Sequence, residues 1–477
     1  MRCKHTCLAS LVIFLSFSWL FPVSAQQNPN IPNLPVNPAE RQIERQIERV
    51  TRQVARMERA PAETIQQRAI DSVLNASERA SERALNGTLM NGLPELPPRL
   101  SITNQLGVER FVEVEVEPGR RAIEREWVLL VTEQEIEELQ NVATELWTYL
   151  SEKSELGGLQ QVMLLFTVPR HLDNPAGMMR LLPTHFHAAL DRNYVYQANS
   201  ASSLTAEHAA TVGRASLLPL PTQLPAICHA PVRIGVVDTA LEYTHSGFAR
   251  AREQQRLVRR SFLAADLKQP SAHGTAVTSL LVGEYDVFLG LTPQATVYHA
   301  EVFYQQSDSH QGAPLSSVLQ ALNWQVEQQV QVINLSLTGP HNRILEETVR
   351  AISRRNISIV AAAGNAGPFA EPLFPAAYEE VIAVTAVDAN GEVYRWANQG
   401  EYIEFAAYGV GVQSAQLNST WGPESGTSIA APIVTAFAAC NQQSTPNETR
   451  AVLQRLAIDL GEEGRDQQYG HGLLHPF

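Results

Sequence analysis

Apolar runs alternate with amphipathic segments along the second half of the chain. "VRIGVV", "ATVYHAEVF", "VQVINLSL", "ISIVAAA" and "EVIAVTAV" are near-continuous apolar stretches, the pattern of parallel strands covered on both faces. Between them, "LSSVLQALNWQVEQQ" and "ILEETVRAISRRN" repeat apolar positions with a helical period. Two further segments, "HGTAVTSLLVG" and "SIAAPIVTAFAA", are apolar nearly all round and read as buried helices. The order predicts an α/β domain with a doubly wound, mostly parallel sheet over residues 231–477. Near its end, Thr445, Pro446 and Glu448 mark a helix start, with Thr445 as N-cap.

The first half is patterned differently. "FVEVEVEP" alternates apolar and acidic residues, the period of a half-buried strand. "EWVLLV", "QQVMLLFTV" and "RNYVYQ" are further strands. Ile136, Leu139, Val142, Leu146 and Leu150 mark one helix, and "PAGMMRLLPTHFHAAL" a second, interrupted by Pro183. Residues 108–200 therefore read as a small α+β unit, ordered approximately β-β-α-β-α-β. Residues 201–230 are a polar, small-residue linker. Upstream, 26–107 form a Pro-rich and helical extension, in which Ile43, Ile47, Val50, Val54 and Met57 lie on one seam. Residues 1–25 combine a basic start (Arg2, Lys4), an apolar stretch and "VSA" before Gln26, the layout of a secretory signal peptide. With that segment removed, no run is long and apolar enough to span a bilayer.

Charge narrows the partners. The formal net charge is −13 over 477 residues, which argues against a nucleic-acid partner. Of four cysteines, Cys3 and Cys7 leave with the signal peptide, and Cys228 and Cys440 remain in a disulfide-permissive compartment. If the strand end before Thr239 and the helix start at Ser428 meet, both cysteines descend to the opposite edge of the domain. A disulfide and two buried thiols both fit that placement. His185 and His187 lack an accompanying carboxylate or cysteine cluster and read as packing or surface residues.

Functional groups in doubly wound sheets gather at the carboxyl edge of the strands. Asp238 directly follows "VRIGVV", His273 opens one buried helix and Ser428 opens the other. A serine hydroxyl becomes nucleophilic when an oriented base takes its proton. Asn365, just past "ISIVAAA", would donate with the Ser428 N–H to a developing oxyanion.

The blocks "GVVDTALEYTHSGF", "SAHGTAVTSLLVG", "VINLSLTGP", "IVAAAGNAGP" and "ESGTSIAAP", in that order, resemble the signature blocks of the subtilisin-like serine proteases, the subtilases. The Asp–His–Ser order is also the subtilisin order. The resemblance covers roughly residues 231–475. It implies that Asp238 orients His273, that His273 is general base and then acid, and that Ser428 forms an acyl-enzyme, with Asn365 in the oxyanion site. It implies that Ser336, Leu337, Thr338 and Gly339 line the substrate backbone, opposite 311–315. Ala363 and Gly364 would wall the first specificity pocket. The sequence departs from the family at Ala240, where glycine is usual, at Thr338, and at Leu373; the last two narrow the first pocket and imply small P1 residues. A cis bond at Phe374–Pro375 is implied too. The segment "LLVGEYDVFLGLTP" lacks the Asn-rich calcium loop of many subtilisins, so no calcium is expected at that place; the reading calls for no cofactor.

The α+β unit sits where subtilases carry an inhibitory prodomain, and its tail would fill the active-site groove until cut between about 198 and 228. The expectation is thus an exported, secreted or periplasmic serine endopeptidase made as a zymogen, acting on proteins or peptides and held by its own prodomain. A catalytically silent subtilase-like binding protein, using the N-terminal helix as a partner arm, is the alternative.

Overall fold

The computed structural model describes residues 96–198, 226–286 and 288–476. The signal peptide, the heptad seam and most of the linker lie outside the described residues. The described residues belong to one compact unit.

The N-terminal part contributes β1 (Arg99–Thr103), β2 (Glu109–Glu117), β3 (Arg120–Val131), α1 (Glu133–Val142), α2 (Thr144–Trp147), β4 (Leu150–Leu156), β5 (Gln161–Thr167), α3 (Pro175–Met179) and β6 (Leu190–Ala198). Alternation in β2 puts Val112 in the core and Glu115 and Glu117 toward solvent. The helix expected to reach Leu150 ends earlier, because Ala143 leaves helical geometry and Leu150 opens β4. Beyond Pro183 the chain forms a 3-10 turn over Thr184–Ala189 rather than more α-helix.

The following elements are β7 (Arg233–Asp238), α4 (Ala249–Glu253), β8 (Leu257–Ser261), α5 (Ala272–Val282), β9 (Thr296–Glu301), β10 (Tyr304–Gln305), β11 (Gln311–Pro314) and α6 (Leu315–Glu327). Then come β12 (Val332–Leu335), β13 (Leu337–Thr338), α7 (Arg343–Ser353), β14 (Ser358–Ala362), β15 (Val381–Val387), β16 (Ile403–Tyr408), β17 (Val412–Gln416), β18 (Thr420–Glu424), α8 (Thr427–Cys440) and α9 (Pro446–Leu456).

Seven strands form one sheet in the order β16-β15-β14-β12-β7-β9-β8, with every neighbouring pair parallel. The apolar runs have covered faces: α5 and α8 pack with Ile234, Val236 and Val297 on one side. Residues of α6 and α7 pack with Val237, Ile333 and Ile359 on the other. Side-chain alternation puts the two faces' residues in succession along each strand. The second cluster also takes in Val128, Met163 and Tyr196, so the N-terminal part shares a core with the parallel-sheet part. At α9 the Thr445 side chain accepts from the Glu448 N–H, as the N-cap pattern predicts.

A second, nine-stranded sheet runs β1-β2-β3-β6-β11-β10, with β13 also on β6 and with β5 and β4 extending from β3. β6 therefore belongs to both parts: Gly312 and Thr338 both register with Gln197.

Candidate active site

Parallel strands deliver their carboxyl ends to one edge, and three side chains meet there. Asp238 is the last residue of β7 and is fully buried. His273 is the second residue of α5, and Ser428 the second of α8. His273 Nδ1 lies 2.7 Å from Asp238 Oδ1 and Nε2 lies 2.8 Å from Ser428 Oγ. A carboxylate only accepts, so Nδ1 carries the hydrogen and Nε2 is the acceptor for the serine hydroxyl.

Electrostatics favour a basic imidazole. Burial alone pushes His273 down, but Asp238, by charge and by hydrogen bond, outweighs it and leaves the pKa raised above 6.5; Glu424 adds to the rise. Burial likewise raises the Glu424 carboxyl, with His273 opposing.

Ser428 stands one residue after Thr427, in a first turn whose N-cap is Gly426 at φ 147°, a backbone geometry that glycine adopts freely. Thr427 ties the remaining loop to this helix. Its N–H and its hydroxyl donate to Asn365 Oδ1 at 3.0 and 3.1 Å, and its Oγ1 accepts from the Gly364 N–H at 3.1 Å. Two donors on Oδ1 identify it as the amide oxygen and make –NH2 the other end of Asn365.

The strand expected to bind substrate lies beside β6. Leu337 and Thr338 pair antiparallel with Ala198 and Gln197, while Gly312 to Pro314 flank the other side of the same strand. Gly339 exchanges backbone hydrogen bonds with Phe374, 2.8 and 3.0 Å, next to the cis Phe374–Pro375 bond. Ser336 Oγ accepts from Asn334 Nδ2 at 2.8 Å. Ala363 is buried. Gly364 has φ +114°, and a Cβ there would meet Leu373 Cδ1 at 2.8 Å, so Leu373 closes over this glycine. Ala240 keeps an ordinary negative φ, consistent with a methyl-bearing residue at that place. Cys228 and Cys440 form a disulfide with Cα atoms 5.8 Å apart, joining the lead-in to β7 to the end of α8.

Three contributors escaped the sequence reading. Thr427 reads as part of a Gly-Thr-Ser run, Glu424 as the first letter of "ESGTSIAAP", and His299 as one letter in an apolar strand. A histidine inside such a strand was the available signal. His187, by contrast, bonds locally: its Nε2 lies 2.9 Å from the Met179 carbonyl. Among the described residues no group of His, Cys, Asp and Glu could hold a metal, and no helix is long and apolar enough to cross a membrane.

A serine bonded to a histidine that is bonded to a buried aspartate, at the carboxyl edge of a parallel sheet, is the constellation of a serine hydrolase. The Subtilase family model matches residues 230–472, and the chain belongs to that family. The minor extracellular protease Epr of Bacillus subtilis (strain 168) is 32% identical over 214 residues, covering 43% of this chain and 33% of that protein. Subtilisin BL of Lederbergia lenta is 32% identical over 212 residues, 43% of this chain and 76% of its own length. The solved prenylagaramide maturation protease PagA is 24% identical, covers 52% of this chain and 92% of its own, and gives a TM-score of 0.44. The chain spans between 33% and 64% of the length of several relatives it matches.

Proposed function

We propose that the chain is an exported serine endopeptidase made as a zymogen. The observation that carries the reading is the continuous hydrogen-bonded series Asp238–His273–Ser428. Ser428 Oγ attacks the peptide carbonyl as His273 Nε2 takes its proton, and Asp238 stabilises the imidazolium that forms. The oxyanion of the tetrahedral intermediate accepts from the Asn365 amide and the Ser428 N–H. His273 then returns the proton to the leaving amine, and water releases the acyl group by the same steps in reverse. The sequence-level expectation of export rests on residues 1–25 and accords with an extracellular relative.

Residues 108–200 act in this reading as an intramolecular inhibitor. β6 supports it by lying antiparallel between β11 and β13, the two edges assigned to substrate. Polar contacts at several places hold the unit down: Asn193 Oδ1 accepts from the Ser316 N–H at the start of α6, 3.0 Å. Asp191 Oδ2 accepts from Asn342, the N-cap of α7, 2.9 Å. Buried Glu113 accepts from the Tyr304 hydroxyl, 2.7 Å. Cleavage between about residues 198 and 228 releases the tail, and Cys228–Cys440 keeps the new N-terminal segment on α8 when the cut precedes Cys228. Ser336, Leu337, Thr338 and Gly339 then bind the substrate strand, and Ala363, Gly364 and Leu373 form a first pocket for small P1 side chains.

The test is fluorophosphonate labelling of purified protein with intact-mass readout, beside Ser428→Ala. Labelling that is lost in the variant, and a wild-type mass shortened before residue 228, is the expected result. A folded, unlabelled and uncut wild type would favour the catalytically silent binding protein. Asn365→Ala should label but turn over about 10²–10³ times more slowly.

A further inference from the structure

His299 stands within β9 with both faces of the strand covered, and it is fully buried. A buried imidazole needs partners for both nitrogens, and His299 has them. Nε2 lies 2.7 Å from the Thr239 carbonyl oxygen and Nδ1 lies 2.9 Å from Thr278 Oγ1. A carbonyl only accepts, so Nε2 carries the hydrogen. Burial pushes the ring's pKa down, against the pull of Asp238, and keeps it neutral. Nδ1 is then an acceptor, and the Thr278 hydroxyl donates to it. One tautomer satisfies every partner.

The ring grips the turn that follows Asp238. The Thr239 N–H donates to Asp238 Oδ1 at 2.7 Å, the oxygen that also receives the His273 Nδ1 hydrogen. Thr239 Oγ1 accepts from the Gly274 N–H at 2.8 Å, one residue beyond His273. The remaining polar group of Thr239, its carbonyl, is the one His299 holds. The fit is close on the helix side as well: a Cβ on Gly274 would lie 2.5 Å from the Thr239 oxygen and 3.0 Å from His299 Cε1. Strand β9, the end of β7 and the first turn of α5 therefore converge on a single residue, Thr239. His299 shares a sheet face with Asp238, since it registers with Val236 and side chains alternate.

We infer that His299 is a positioning residue for the acid–base couple: by holding the Thr239 carbonyl it fixes the turn whose N–H aims Asp238 at His273. This rests on the reading of Ser428 as nucleophile. His299 touches no reacting atom and acts through Thr239. The charges facing His299 are Asp238, Glu301 and Arg259, and those facing His273 are Asp238 and Glu424.

The experiment compares processed wild type with His299→Gln, His299→Phe and Thr278→Val, reading fluorophosphonate active-site titre, kcat and KM on a peptide anilide, and the pH profile of kcat/KM. Glutamine keeps a donor at the Nε2 position and should hold kcat within about threefold. Phenylalanine keeps the ring without the donor and should lower kcat by about 10–100-fold at nearly unchanged KM. Its acid limb should move to lower pH, because a loosened Asp238 no longer raises His273 as strongly. Thr278→Val releases the tautomer and should lower kcat in the same direction by a smaller factor; it decides the matter if the phenylalanine variant does not fold. Equal losses in the glutamine and phenylalanine variants, losses in KM with an unmoved acid limb, or wild-type kcat in Thr278→Val would each overturn the inference alone. A folded wild type that takes no label overturns the serine-peptidase reading, and this inference with it.

Discussion

The most direct structural lever on the proposed inhibition is Gly339. A Cβ added there would stand 2.4 Å from Tyr196 Cδ1 and 2.8 Å from Cε1, well inside contact distance. Neither side has room to give. Gly339 is pinned by its two backbone hydrogen bonds to Phe374, and Tyr196 is fully buried with its hydroxyl 3.4 Å from the Pro340 carbonyl. Overpacking of this kind costs about 1–3 kcal/mol, or about 5–150-fold in the opening equilibrium of β6. Hydrogen exchange of the 190–198 amides in a Ser428→Ala background, where the chain stays uncut, reads that opening directly. Gly339→Ala should lose protection by this factor. Tyr196→Ala should lose more, about 3–5 kcal/mol for a deleted aromatic side chain. The double variant should lose little beyond Tyr196→Ala alone, because the added methyl then faces a space the ring has left. Additive losses would refute the reasoning, since they would mean that the two groups do not compete for the same volume.

Other consequences follow from the same geometry. His273 must be neutral to act as base, and Asp238 raises it above 6.5, so kcat/KM should rise with pH through a value above 6.5 and be lost on acidification. Glu424→Gln removes one of the charges that raise it and should shift that limb downward; an unmoved limb would contradict the assignment. Cys440→Ser opens a link across 212 residues, which should cost about 2–5 kcal/mol and lower the melting temperature of the Ser428→Ala protein by about 5–15 °C. An unchanged calorimetric transition would sink that expectation. Leu373→Ala should raise kcat/KM for phenylalanine relative to alanine at P1 by about tenfold, and a ratio that stays put would remove Leu373 from the pocket.

The central parallel strands were legible because burial on both faces leaves a continuous apolar run, and β7, β9, β12, β14 and β15 fall on those runs. Edge and N-terminal elements were not. β8 reads "LVRRS" with four exposed positions, and β4 reads "LSEKSEL"; such charged strands carry no run and owe their place to a neighbour. Asp238, His273 and Ser428, which the structure brings together, could be singled out because each lies at the start or end of an element that the pattern marks. Thr427 and His299 were hidden for the opposite reason: each serves through a backbone group or amide brought in by another element, and no local period records such a partnership. Ala240, where glycine is usual in the family, does not itself hold the Asp238 turn. That turn is instead fastened through Thr239, by Gly274 from one side and His299 from the other.

The shared strand also bears on how the proposed inhibitor would give way to substrate. β11 and β13 are short, and Gly312 and Thr338 both register with Gln197 of β6. In the proposed processed enzyme, a substrate that replaces β6 inherits main-chain bonds to both edges, as in recognition by strand addition. Backbone bonding of this kind supplies affinity without selecting side chains. Selection then falls to the positions whose side chains enter walls: the space beside Gly339 that Tyr196 fills, and the pocket that Leu373 closes over Gly364. Selectivity should therefore respond to substitutions at Gly339 and Leu373, while substitutions at the strand-pairing residue Gln197, whose side chain is half-buried, should alter inhibition only weakly.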